Sequence, residues 1–91
     1  MSKVLIVDDD VFICNILEKL LADNGYEVET AYSAASAKKL LKESSFDVVL
    51  CDYRLPDSDG LKMLNTIKRM VPGTKVIIIT AYADVSIAVK L

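Results

Sequence analysis

"FDVVLCDYRLPDSDG", residues 46–60, joins a run of strand-forming apolar residues to a carboxylate and then to a loop. The run at 48–51 lacks the polar alternation of a strand with one wet face, so it reads as a strand covered on both sides. Asp52 ends it, and Pro56 and the Asp59-Gly60 pair mark a turn behind it. A doubly covered strand that stops at an acid puts that acid on the rim of a sheet.

The same alternation extends in both directions. "KVLIV" at 3–7 is a second continuous apolar run, followed by a helical pattern from residue 11 to about 25 in which Ile13, Ile16, Leu17, Leu20 and Leu21 recur. Asp10 is placed to cap that helix and Gly25 to terminate it. "YEVETA" at 26–31 alternates as a more exposed strand, and Ser33 opens a helix to about Glu43 with Ala37, Leu40 and Leu41 inward. The third helix spans about 60–70 with Leu61, Leu64, Ile67 and Met70 inward, "VPG" punctuates its end, and "KVIIIT" at 75–80 is strand four. Asp84 is suited to cap a last helix at 85–91. Four βα units predict a parallel sheet with right-handed crossovers and helices on both faces.

Bulk composition agrees with one compact domain: 91 residues, 53% hydrophobic and 26% charged, with a net charge of -2. No basic stripe is present, so this segment is not expected to bind nucleic acid directly. The longest apolar runs are too short to span a bilayer and no signal-peptide core precedes them, which points away from a membrane and to the cytoplasm. Cys14 and Cys51 lie in apolar settings without CxxC spacing, and the chain contains no histidine. Both read as reduced, buried small hydrophobes. The lack of histidine also means that the chain does not itself carry a phosphohistidine.

Ligands of such sheets gather beyond the carboxyl ends of the strands. Strand one ends in Asp8 and Asp9, strand three in Asp52 and strand four in Thr80. Taken alone, each has a plain structural role: a turn acid, or a β-branched strand residue. Together, three acids on one rim repel one another unless a cation neutralises them, and a few hard oxygen ligands with room for water suit Mg2+. A carboxylate beside magnesium can attack a phosphoryl group and form an aspartyl phosphate, with Thr80 donating its hydroxyl to a phosphoryl oxygen.

"VLIVDDD", "VVLCDYRLPDSDG" and "VIIITAYAD", in this order and spacing, resemble the receiver domain of bacterial two-component response regulators, and the likeness covers the whole chain. The wording "DYRLPDSDGL" and "TAYADVSIAVK" is most similar to the NtrC-type transcription activators. The resemblance implies a flavodoxin-like, CheY-like doubly wound sheet and a cytoplasmic phosphoprotein that takes its phosphoryl group from a histidine kinase. Such a domain is not an enzyme in the ordinary sense, since it only removes its own phosphate. By the same resemblance Asp52 is the phosphoacceptor, Asp9 a direct magnesium ligand, Asp8 a ligand often acting through water, and Arg54 a ligand through its main-chain carbonyl. Thr80 becomes the switch hydroxyl and Tyr82 the position that modulates access and phosphate lifetime.

The family pattern continues into a fifth strand bearing a lysine, and a fifth helix. Lys75 starts strand four at the wrong end and Lys90 is most of a helix away, so neither fills that role. Residues 1–91 are therefore expected to be a receiver domain incomplete at its C-terminus, in strand order 2-1-3-4. Strand four would then be an unprotected apolar edge, inviting self-association or coverage by the last helix. Two other functions stand beside this one. A receiver-like module could act by its surface without taking phosphate, and a haloacid dehalogenase-type phosphatase would use Asp8 and Asp10, though Phe12 fits that motif poorly.

Overall fold

The structure is a computed structural model that describes residues 2–79. Its elements are β1 (Lys3–Val7), α1 (Val11–Asp23), β2 (Glu27–Ala31), α2 (Ala34–Glu43), β3 (Val48–Asp52), α3 (Gly60–Met70) and β4 (Lys75–Ile79). All pairings are parallel, in the order β2-β1-β3-β4. The expected last helix and Thr80 lie outside the described residues.

Alternation along the strands divides the core between two faces. Leu5, Val7, Val49 and Cys51 point to one side, where Ala34, Ala37 and Leu41 of α2 and Met63 and Ile67 of α3 meet them. Val4 and Ile6 point to the other, against Cys14 of α1. The central strands β1 and β3 are thus covered on both faces, which is why their sequences run apolar without a break. Each buried Val, Leu, Ile or Met side chain among them contributes about 1.5–3 kcal/mol by leaving water.

The helix signals correspond to real caps. Asp10 accepts from the amides of Phe12 and Ile13 at 2.9 and 3.2 Å. Asp59, expected only as a turn residue, accepts from Lys62 N at 2.9 Å and starts α3. Gly25, just past the end of α1, has φ +89, a conformation that a side chain would strain.

Two helix faces differ from expectation. On α3 the fully buried residues are Gly60, Met63 and Ile67, while Leu61 and Leu64 are only half-buried. On α1 only Cys14 is buried; Leu17 and Leu21 pack beside it, and Ile13, Ile16 and Leu20 are exposed. The apolar stripe of α1 is wider than the strip of sheet it covers among the described residues. Beyond α1, Ile77 and Ile79 of β4 remain 53% and 38% exposed. They alternate with Val76 and Ile78, which pack on the α2–α3 side, so they belong to the face of α1.

Candidate functional site

β1 and β3 are neighbours with Val7 opposite Cys51, so the residues that follow, Asp8 and Asp52, emerge side by side at the carboxyl rim. Asp9 stands beside them. Carboxylate oxygens of Asp8, Asp9 and Asp52 all lie within 4.8 Å of one another. Sequence order separates Asp8 from Asp52 by forty-four residues, and the parallel register removes that separation.

The three acids are held differently. Asp8 is buried, and its Oδ1 accepts from Asp10 N at 2.9 Å. Burial pushes its carboxyl up from the ordinary value, with the charges of Asp9 and Asp10 adding to the rise against that hydrogen bond. Asp52 is half-buried and is also pushed up, first by burial and then by the charges of Asp8 and Asp9. The adjoining main chain of Tyr53 and Arg54 opposes that rise. Asp9 is exposed. Asp10 stands apart in role, because its carboxylate is spent on capping α1.

This donor set fits a hard divalent cation. Two oxygens bound directly to one magnesium stand at most about 4.2 Å apart, twice the metal–oxygen distance. A spread of up to 4.8 Å suits a shell in which some carboxylates bind directly and another through water. All three side-chain donors are oxygen, and a cation would offset both the burial and the mutual repulsion that raise the carboxyls.

The loop after β3 is a small hairpin. Arg54 and Asp59 bridge antiparallel, Leu55 N donates to Ser58 O at 3.2 Å, and Gly60 N donates to Tyr53 O at 2.6 Å. Gly60 permits that closure: a Cβ there would meet Ile78 Cγ2 at 3.0 Å and Tyr53 Cα at 3.1 Å. The Arg54 main chain is thereby fixed beside Asp52. Lys75 pairs with Val48 while Ile79 pairs with Asp52, so that lysine sits at the opposite end of the strand from the acids. Thr80, Tyr82 and Lys90 lie outside the described residues.

Both cysteines are buried free thiols on opposite faces of the sheet. Cys14 Sγ donates to Asp8 O and Cys51 Sγ to Asp52 O, each at 3.3 Å. Burial pushes the two thiols up to about 11 and about 12, so they stay protonated beneath the acidic rim.

Residues 4–91 match the family model of the response regulator receiver domain. The chain belongs to the receiver domain family of response regulators. It is 44% identical over 87 residues to the transcriptional regulatory protein ZraR of Salmonella typhimurium, covering 96% of this chain and 20% of that protein. It is 38% identical over 88 residues to the alginate biosynthesis transcriptional regulatory protein AlgB of Pseudomonas putida, covering 97% and 20%. This receiver domain thus spans about a fifth of the length of the curated relatives it matches.

Among solved structures, a receiver domain from Clostridium thermocellum superimposes with TM-score 0.92 at 34% identity, covering 99% of this chain and 73% of that one. TrrA of Thermotoga maritima, solved with Mg(2+)-BeF, gives TM-score 0.86 at 32% identity, covering 91% and 72%. ZraR, AlgB and the matching regulator NtrX are NtrC-type regulators, as the wording of the two motifs suggests. The CheY-like fold expected from the motifs is the observed one. Receiver domains are regulatory modules rather than enzymes of the ordinary kind.

One contact had no local signal. Asp57, in the loop expected only to turn, accepts from the amides of Ala34 and Ala35 on α2. Nothing in a linear pattern pairs a loop acid with a helix start more than twenty residues earlier.

Proposed function

We propose that this receiver domain takes a phosphoryl group from a histidine kinase onto Asp52 and so switches the output, in this case transcription, of a longer cytoplasmic protein. The convergence of Asp8, Asp9 and Asp52 within 4.8 Å carries this reading. A bound Mg2+, held by Asp9, Asp8, Asp52 and the Arg54 main-chain carbonyl, would supply neutralising charge for the transferred group. An Asp52 oxygen attacks phosphorus, the phosphorus–nitrogen bond of the donor phosphohistidine breaks, and the imidazole nitrogen keeps the electron pair. Tyr53 N, donating to Ile79 O at 2.9 Å, and the Arg54–Asp59 bridge fix the main chain that carries Asp52. Thr80 is assigned as the switch hydroxyl and Tyr82 as the modulator of access. Attack of water on the aspartyl phosphate returns the carboxylate and releases phosphate. Incubation with acetyl phosphate tests the reading: the intact chain should gain phosphate only with Mg2+ present, and Asp52→Asn should gain none. Gain of phosphate in EDTA, or in the variant, would overturn it.

We further propose that the domain self-associates along β4. Its outer edge is unpaired among the described residues, and Ile77 and Ile79 offer exposed β-branched surface with neither charge nor proline between them.

A further inference from the structure

Three amides at the start of α2 need partners because no earlier helical carbonyl can serve them. Ser33 Oγ accepts one, from Ser36 N at 3.1 Å. The other two are served from a different part of the chain: Asp57 Oδ1 accepts from Ala34 N at 2.8 Å and Oδ2 from Ala35 N at 3.0 Å. A carboxylate on a helix N-terminus is favoured by both the hydrogen bonds and the macrodipole. The same amides hold Asp57 below the ordinary carboxylate value, so the clasp stays charged at neutral pH.

Asp57 sits at the tip of the hairpin whose base is at the acidic rim. From tip to base the chain of contacts is short: the turn closed by Leu55 and Ser58, then the Arg54–Asp59 bridge, which holds the Arg54 main chain two residues from Asp52. Fixing the tip to α2 fixes this lever at its free end. We propose that Asp57 is a positioning residue for magnesium binding and phosphoryl transfer, tying the β3–α3 hairpin to α2 so that the Arg54 main chain stays against Asp52. The proposal rests on Asp52 being the phosphoacceptor.

Isothermal titration of the chain with Mg2+ tests it, with Ser33→Ala as the control that weakens the same helix start without touching the hairpin. Asp57→Ala should weaken Mg2+ binding by about tenfold, the lower edge of what losing a supporting partner of a metal site costs. Asp57→Asn, which keeps one acceptor oxygen, should fall between, and it carries the comparison if Asp57→Ala does not fold. Ser33→Ala should lower the melting temperature yet leave the Mg2+ affinity within about twofold, the ordinary error of independent sites. Equal affinities for the unsubstituted chain and the Asp57 variants would overturn this proposal alone, as would an equal loss in Ser33→Ala. Absence of Mg2+ binding by the unsubstituted chain would overturn the phosphoacceptor assignment and this proposal with it.

Discussion

Replacing Asp52 by asparagine should stabilise the metal-free domain while removing its function. Carboxylate oxygens of Asp8, Asp9 and Asp52 lie within 4.8 Å of one another. Two unit charges at that distance repel by about 0.9 kcal/mol at the dielectric of water and by about 3.5 kcal/mol at an effective dielectric of 20. Asp9 is exposed, Asp52 half-buried and Asp8 buried, so the lower figure is a floor for each pair. Asp52→Asn deletes the pairs with Asp8 and with Asp9, which gives about 2 kcal/mol. For a domain of this size each kcal/mol moves the melting temperature by about 4–8 °C, so the variant should melt about 10 °C higher in EDTA at low salt. At ten times its dissociation constant Mg2+ should return about 1.4 kcal/mol to the unsubstituted chain and less to the variant, narrowing the gap. Circular dichroism melts in EDTA and in Mg2+ decide. A variant that melts at or below the parent in EDTA, or an equal response of both to Mg2+, would refute the repulsion account.

Protons should act on the same acids as a bound Mg2+ would. Asp8 and Asp52 are raised in the folded chain from the ordinary 3.8, so the fold holds more protons than the unfolded chain between that value and the raised ones. Metal-free stability should therefore rise as pH falls from neutral through the raised values toward 3.8, with a shallower rise in Asp52→Asn; melts across pH in EDTA check this. Asp57 has the opposite sign: its stabilisation is full above 3.8 and is lost as pH falls through its depressed value, so stability should turn down there. Gly60→Ala should destabilise by about 1–3 kcal/mol in urea unfolding, because the new Cβ meets Tyr53 backbone at 3.1 Å as well as the Ile78 side chain at 3.0 Å. An unchanged midpoint would show that the hairpin can open without cost. Light scattering over a hundredfold concentration range should show association that Ile77→Lys abolishes; a monomer throughout would remove β4 as an interface.

The sheet and the convergence of acids were legible because both follow from short-range signals. Unbroken apolar runs at 4–7 and 48–51 require cover on two faces, and Asp8, Asp9 and Asp52 stand where those runs stop. The caps at Asp10 and Ser33 were equally readable, since each acts on amides two or three residues away, whereas Asp59 read only as a turn residue. Helix faces were less so. Met63, rather than Leu61 or Leu64, is buried alongside Ile67 on α3, because the crossing of helix on sheet selects among neighbouring apolar positions that periodicity treats alike. Asp57 was illegible, since its partners are fixed only once the sheet has brought the loop after β3 beside the start of α2.

The assignment of Asp52 is tested most directly by trapping. The chain is incubated with acetyl phosphate and Mg2+, reduced with borohydride to convert the acyl phosphate to a stable alcohol, digested and sequenced by mass spectrometry. Modification should fall on Asp52 alone and vanish when Mg2+ is chelated. Modification of Asp8 or Asp9 with Asp52 intact would contradict the account.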